Sequence, residues 1–484
     1  MFSNTPLHPW LKQLHVSFVP GVTIPTLEDV VTRLLETFRH LNHTVQSQPN
    51  EQTHLVLTTA PFAQPLSWRE AVLFTVRPRF RLKHTPAIVT LLHARPAEFQ
   101  RWLEHFDAAL RKNPLDPTDF TFPGLVPTAY RTLIEQGQRG GAILALERML
   151  QAQSKSIRIV LFVGEEKPEC AYLFDLVGAH PRIPNTNEHA FYTNIVLRLV
   201  TALSTSEVTQ HEIVGAPIPY AVWRTLTTPA AMLTAARELD RRNFFTPTVQ
   251  IAELVNVPAV HDSVAQQYSE GCFATWEPQL DALIVTVTGS TRPVNKGHIN
   301  EDDLAVVVGV RPDGKGARVR HVEGKCNDPP SSESVEMMWL DEPLPRVTIE
   351  GQGKQWQVPV TRSKLHGHRG VLAFHPDYVE YVAMDAPYYY FPVPCATDAQ
   401  ARGIRDTFAR AQALNDPSDA RRVVFTLLPG HGVMIVEKWQ MDKRPFQIIW
   451  EYIDAGYLCI DSHVPQGPVT FVLQSDGKVH VQEI

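Results

Sequence analysis

Two apolar runs separated by a Pro-Gly-His-Gly break, Val423–Val436 (VVFTLLPGHGVMIV), place the strongest constraint on how this chain folds. Each run has the length of a buried strand, and the break between them favours a turn. The glycines on either side of His431 leave space around its imidazole. The stretch therefore predicts a hairpin in which His431 either satisfies local hydrogen bonds or acts as a ligand.

Length and composition indicate a globular protein with more than one domain. A chain of 484 residues is longer than one ordinary hydrophobic core supports, and 44% of its residues are hydrophobic. A net charge of −6 argues against a nucleic-acid partner. No run of 18 apolar residues occurs, the N-terminus lacks the apolar core of a signal peptide, and the five cysteines contain no CxxC. We therefore expect a cytoplasmic protein with no membrane partner and no disulfide framework.

The first half of the chain alternates predicted strands and helices. Short runs rich in β-branched and apolar residues, such as His54–Thr59, Ala87–His93 and Ile157–Val163, are interspersed with segments whose apolar residues recur at helical spacing. This alternation predicts an α/β domain with a largely parallel sheet over residues 1–240. No motif in this half indicates a particular chemistry.

A second domain is predicted over residues 241–484. A helix expected to end near Arg242 is followed by a break at Asn243–Pro247, and beyond it strands and turn dipeptides dominate. Five short motifs then follow one another. They are, in chain order, the turn Thr288-Gly289-Ser290 after a strand, the strand Leu304–Val310 after three acidic residues, Pro330-Ser331-Ser332-Glu333, the strand Val371–His375, and Leu427–Val436.

This order resembles that of the class II aldolase/adducin family, over roughly residues 249–460. The resemblance implies an α/β/α sandwich and a site in which three histidines bind a divalent metal, with zinc expected. Three protein ligands leave a coordination position open for an oxygen of a small hydroxy-carbonyl substrate. The metal would polarise that oxygen while a C–C bond breaks or a proton leaves, and a glutamate would move the proton.

The resemblance also assigns roles to residues of this chain. Glu333 matches the catalytic acid/base, and His431 matches one metal ligand. Substrate binding is assigned to Gly289, Ser290, Ser331 and Ser332. Their hydroxyls and backbone N–H groups would suit an anionic group of the substrate. The family implies a homo-oligomer.

The remaining metal ligands can be chosen in two ways. His375 matches the second member of the family's His-x-His pair, but Ala373 occupies the place of the first. His366-Gly367-His368 is a complete pair that lies just before this strand, although it is flanked by the basic residues Lys364 and Arg369, which would disfavour a dication. The Pro-x-Tyr after His375 favours the first choice, and both stay open.

Three functional hypotheses follow from these observations. The first is a metal-dependent lyase or isomerase. The second is a non-catalytic, adducin-like assembly protein, because Ala373 and the absence of the family's Asn near Gly271–Thr275 are what loss of the site would produce. The third places the main activity, on a nucleotide or sugar, in residues 1–240 and makes the second half an oligomerisation platform.

Overall fold

The computed structural model describes most of the chain and shows an α/β protein. The described residues are 11–21, 23–62, 86–112, 128–145, 157–175, 178–179, 183–205, 210–247, 267–289, 291–351, 353–385, 397–465 and 467–484. They divide into two compact units, the first within residues 1–204 and 247–267 and the second within 205–246 and 268–484. No helix among them is both long enough and apolar enough to cross a membrane.

The first unit is built on a mixed sheet that is parallel through its first five strands. Its elements are β1 His15–Phe18, α1 Pro25–His40, β2 Thr44–Gln46, β3 Leu55–Thr59, β4 Ala87–Ala94, α2 Pro96–Lys112, α3 Thr128–Glu135, β5 Ile157–Val163, β6 Cys170–Asp175, β7 Gly178–Ala179, β8 Ile183–Pro184 and α4 Glu188–Ser204. The strand order is β2-β1-β3-β4-β5-β6-β7, with β8 beside β6, and β6 is antiparallel to β5. The predicted largely parallel sheet is confirmed.

Continuous apolar runs explain this sheet. All five residues of β3 are buried, as expected for a parallel strand that is covered on both faces. Helix α1 turns a single apolar stripe inward, formed by Leu27, Val30, Leu34 and Phe38. Hydrophobic burial therefore organises the first unit.

The second unit contains a larger, mainly antiparallel sheet. Its elements are β9 Glu212–Ile213, α5 Tyr220–Trp223, α6 Thr228–Asp240, β10 Thr246–Pro247, β11 Ser269–Glu270, β12 Cys272–Glu277, β13 Ala282–Thr286, a 3₁₀ turn Glu301–Asp303, β14 Leu304–Val310, β15 Ala317–Arg320, α7 Ser334–Trp339, β16 Arg346–Gly351, β17 Lys354–Pro359, β18 Thr361–Gly367, β19 Gly370–Phe374, β20 Val379–Tyr381, α8 Asp398–Phe408, α9 Gln412–Asn415, β21 Val423–Leu428, β22 Gly432–Lys438, α10 Gln447–Asp454, β23 Leu458–Asp461, β24 Val469–Leu473 and β25 Val479–Glu483.

The order of the main sheet is β20-β21-β22-β18-β12-β13-β14-β15-β9, in which only the two edge pairs are parallel. A separate four-stranded antiparallel sheet has the order β23-β19-β25-β24. The stretch Val423–Val436 forms the antiparallel hairpin of β21 and β22, and Leu428 pairs with Gly432. Helix α6, which precedes residue 241, lies in the second unit and packs against β12. The position of β18 between β22 and β12 determines the geometry of the candidate site.

Candidate metal centre

Three strands bring distant parts of the chain together at one end of β18. His366 pairs with Cys272 on β12 and with Met434 on β22, and the next residue, Gly367, pairs with Val433. The end of β18 therefore lies beside the beginnings of β12 and β22. The hairpin turn that carries His431 reaches the same place, because it directly precedes β22.

Gly432 permits this close approach. Its φ is +147°, and a Cβ at this position would lie 2.0 Å from the carbonyl oxygen of Gly367 and 2.9 Å from Cα of His368. Any side chain would push the hairpin away from the end of β18. The glycine thus holds His431 against the His-x-His segment.

The result is a cluster of three histidines, His366, His368 and His431, called the histidine cluster below. The ring centroids of His366 and His431 are 4.5 Å apart, those of His368 and His431 4.9 Å, and those of His366 and His368 5.4 Å. One ring nitrogen from each residue lies within 4.8 Å of the other two. His366 and His431 are buried and His368 is half-buried.

The hydrogen bonding of His366 fixes its tautomer. Its Nδ1 lies 3.1 Å from the carbonyl oxygen of Val433, which can only accept, so Nδ1 carries the proton and donates. Nε2 then has a lone pair, and it is buried without a hydrogen-bond partner among the described residues. A ligand imidazole in metalloproteins has this arrangement, with one nitrogen bonded to a backbone carbonyl and the other on the metal.

The protonation state of His366 also suits a ligand. Burial, with a smaller contribution from the neighbouring His368, lowers the pKa of His366 from 6.5 to about 4. The charges of Glu333 and Glu270 act in the opposite direction but do not reverse the shift. The ring is therefore neutral at physiological pH, as metal coordination requires. The cluster has the geometry to hold a metal ion.

Glu333, the predicted acid/base, lies close enough to the cluster for its charge to act on His366. It stands at the N-terminus of α7, and its side chain does not cap that helix. Instead its Oε2 accepts hydrogen bonds from the hydroxyls of Ser331 and Ser332, the second at 3.5 Å. The structure thus groups the Pro-Ser-Ser-Glu motif with the histidines.

The other predicted substrate-binding residues lie partly in the same region. Gly289 follows Thr288, whose N–H donates to the carbonyl oxygen of Pro329 at 2.9 Å, so this turn lies beside the Pro-Ser-Ser-Glu motif. Ser290 lies outside the described residues.

His375 is not part of the cluster. It follows β19 in the smaller sheet, where its ring packs against Tyr378 and Tyr457 at centroid distances of 5.0 and 5.7 Å. Ala373 is also in that sheet, paired with Cys459 and His480. Of the two choices left open by the sequence, the structure brings together His366 and His368 with His431.

The objection to this pair was the basic character of its surroundings, and the structure removes part of it. Lys364 is a fully buried residue of β18 whose ammonium pairs with the carboxylate of Asp341. Its charge is therefore balanced within the unit. The segment is a strand of the main sheet and not a basic loop.

Two residues near the cluster have no sequence motif. The charge of Glu270 acts to raise the pKa of His366. Burial lowers the pKa of Lys296, and the charges of Glu270 and Glu333 oppose that shift. Both residues come from irregular sequence around short elements, so neither periodicity nor spacing could have indicated them. A His-x-His at a strand end, together with a Gly-His-Gly turn, was the available signal.

Comparisons of the chain with protein-family models, with curated proteins and with solved structures found no match. The functional argument therefore rests on the geometry of the site.

Proposed function

We propose that the histidine cluster is a divalent-metal centre of zinc type and that the protein is a metal-dependent lyase or isomerase of a small hydroxy-carbonyl compound. The observation that carries the proposal is the buried Nε2 of His366, which has no hydrogen-bond partner in the described part of the chain, in a ring whose ligand nitrogen lies within 4.8 Å of those of His368 and His431. A buried lone pair without a partner is costly unless something occupies it.

Three imidazoles are a common ligand set of catalytic zinc and leave one position for a substrate oxygen. A cation held there would supply a Lewis acid that withdraws electrons from this oxygen. The remaining chemistry would fall to the chain. Glu333, supported by the hydroxyls of Ser331 and Ser332, would take a proton from the substrate and return it.

The alternative is a non-catalytic, adducin-like role. One of its two arguments was the absence of a ligand at Ala373, and this residue lies away from the histidine cluster. The alternative then depends on whether the cluster holds a metal, so the same experiment separates the two functions.

The protein is purified without a His tag, loaded with zinc, manganese or cobalt in turn, desalted and analysed for bound metal. We expect one equivalent of zinc in the wild type and loss of zinc in His431→Ala and His366→Ala. His375→Ala is the matched control, since this histidine lies outside the cluster, and it should retain the metal. A wild-type protein without metal under these conditions would contradict the proposal.

Catalysis needs a separate test. Once metal binding is established, a panel of small hydroxy-carbonyl compounds is screened for proton exchange with deuterated water, which detects deprotonation without knowledge of the product. Glu333→Gln should abolish the exchange while zinc stays bound. Exchange that is unchanged in Glu333→Gln would remove this residue from the mechanism.

A further inference from the structure

Lys296 is a buried lysine next to the segment that carries the Pro-Ser-Ser-Glu motif. The residue is 2% exposed, and its ammonium makes one hydrogen bond, to the carbonyl oxygen of Val287 at 2.6 Å. No ion pair among the described residues includes it. Burial lowers the pKa of Lys296, because its ammonium loses its hydration and regains little from one carbonyl.

The backbone fixes this ammonium between two segments of the site. The N–H of Lys296 donates to Oγ of Ser269 at 2.8 Å, and the N–H of Ser269 donates to the carbonyl oxygen of Val294 at 3.1 Å. Val287, which accepts the ammonium hydrogen bond, forms a β-bridge with Pro330. Lys296 is thus held between β11, which ends at Glu270, and the motif that ends at Glu333.

The charges around Lys296 are those of the candidate site. The charges of Cys272, Glu270, Glu333 and Asp303 all act to raise the pKa of Lys296, against the effect of burial. Burial raises the pKa of Cys272 to about 12, so this thiol is neutral at physiological pH. Glu270 and Glu333 are also the two carboxylates whose charges act on His366.

We propose that Lys296 is a positioning residue of the metal centre, whose ammonium, anchored on Val287 beside the Pro-Ser-Ser-Glu motif, offsets part of the attraction of Glu270 and Glu333 for the metal. This inference rests on the proposed function, since it assumes that the cluster binds a cation. The inference also gives Glu270 a role, because its carboxylate would attract the metal bound by the histidine cluster. Neither residue belongs to a motif of the sequence.

The inference predicts a gain of metal affinity when a lysine is removed. At pH 7, Lys296→Met removes the lysine's positive charge near the dication and leaves both carboxylates, so zinc should bind roughly tenfold more tightly. Glu270→Gln should weaken zinc binding roughly tenfold, and the double variant should return close to the wild type. A purely structural role of Lys296 would leave zinc affinity unchanged or weaken it.

Zinc affinity is measured by competition with a chromophoric chelator, and circular dichroism checks the fold. Lys438→Met is the matched control, because Lys438 is a buried lysine whose ammonium also bonds backbone carbonyls, those of Ala413 and Asp419. It should bind zinc like the wild type. If Lys296→Met alone does not fold, the double variant compared with Glu270→Gln measures the same effect.

The outcomes separate this inference from the proposed function. Tighter zinc binding on loss of Lys296, in either background, supports it. Equal or weaker binding in both backgrounds, with a wild type that binds zinc, overturns the inference alone. A wild type that binds no zinc overturns both.

Discussion

The two units differ in how many charged groups they bury. Among the described residues, the buried charged side chains of the first unit are Asp107 and Arg198. In the second unit they are Glu277, Lys296, Asp303, Glu336, Lys364, Glu437 and Lys438. Burial of charge is costly, and a parallel sheet covered on both faces has little room for it. The concentration of buried charge in the second unit marks it as the part where chemistry is expected.

The buried histidines of the two units differ in their surroundings. His43 in the first unit accepts a hydrogen bond from the N–H of Leu14 through Nδ1 and packs against Phe38. Burial lowers its pKa to about 4, the same value as for His366. A lowered pKa therefore does not by itself indicate a site. What distinguishes His366 is that His368 and His431 converge on it.

The largest predicted loss of stability follows from removing the counter-charge of a buried lysine. Asp341→Ala leaves the fully buried ammonium of Lys364 without its partner and should lower the free energy of unfolding by about 4 kcal/mol. Asp107→Ala in the first unit should cost only about 1–2 kcal/mol, because Arg111 is 35% exposed and can be solvated, while the N–H of Gly140 loses its acceptor. Urea denaturation measures both, and equal losses would break the comparison.

A second prediction concerns the hairpin at the histidine cluster. Gly432→Ala should cost about 3 kcal/mol, because the added Cβ would meet the carbonyl oxygen of Gly367 at 2.0 Å. The variant should also bind zinc more weakly, since the hairpin carrying His431 must move. Gly324→Ala, at a φ of +74° with no atom within 4 Å, is the control and should cost about 1 kcal/mol through backbone strain alone. Similar losses in the two variants would contradict a packing role for Gly432.

The third prediction is that Glu437 in the second unit and His43 in the first unit make contributions to stability with opposite pH dependence. Burial raises the pKa of Glu437 in the second unit from 4.5 to about 7, so the folded state binds this proton more tightly than the unfolded chain. The associated stability, about 3 kcal/mol, is fully present below pH 4.5 and is lost as the pH rises through 7. Glu437→Gln should remove this part of the pH dependence.

The contribution of His43 in the first unit to stability changes with pH in the opposite direction. Burial lowers its pKa from 6.5 to about 4, so its contribution, about 3 kcal/mol, is present above pH 6.5 and is lost as the pH falls through 4. The difference in unfolding free energy between the wild type and His43→Gln, measured from pH 4 to 8, isolates it. A difference that does not change with pH would contradict this assignment, as it would for Glu437→Gln.

The local elements were predictable from sequence because their signals are local. The strand Leu304–Val310 and the hairpin after Val423 follow from apolar runs and turn residues, and α1 follows from its apolar stripe. The parallel character of the first sheet follows from the alternation of strands and helices.

The composition of the site could be predicted only in part, because it depends on strand register. Which histidines join His431 is decided by the pairing of His366 with Met434 and with Cys272, across 68 and 94 residues of chain. A shift by one residue would place the opposite face of β18 at the site, and no local pattern determines that choice. Lys296 could not be found, because its role depends on burial by segments distant in sequence.

The most direct test of a three-histidine zinc centre is X-ray absorption at the zinc K-edge on the zinc-loaded protein. The proposed zinc centre predicts three imidazole nitrogens at about 2.0–2.1 Å and one further light-atom ligand, with one imidazole fewer in His368→Ala and an unchanged spectrum in His375→Ala. A sulfur shell at about 2.3 Å, or a six-oxygen environment without imidazole scattering, would contradict the account.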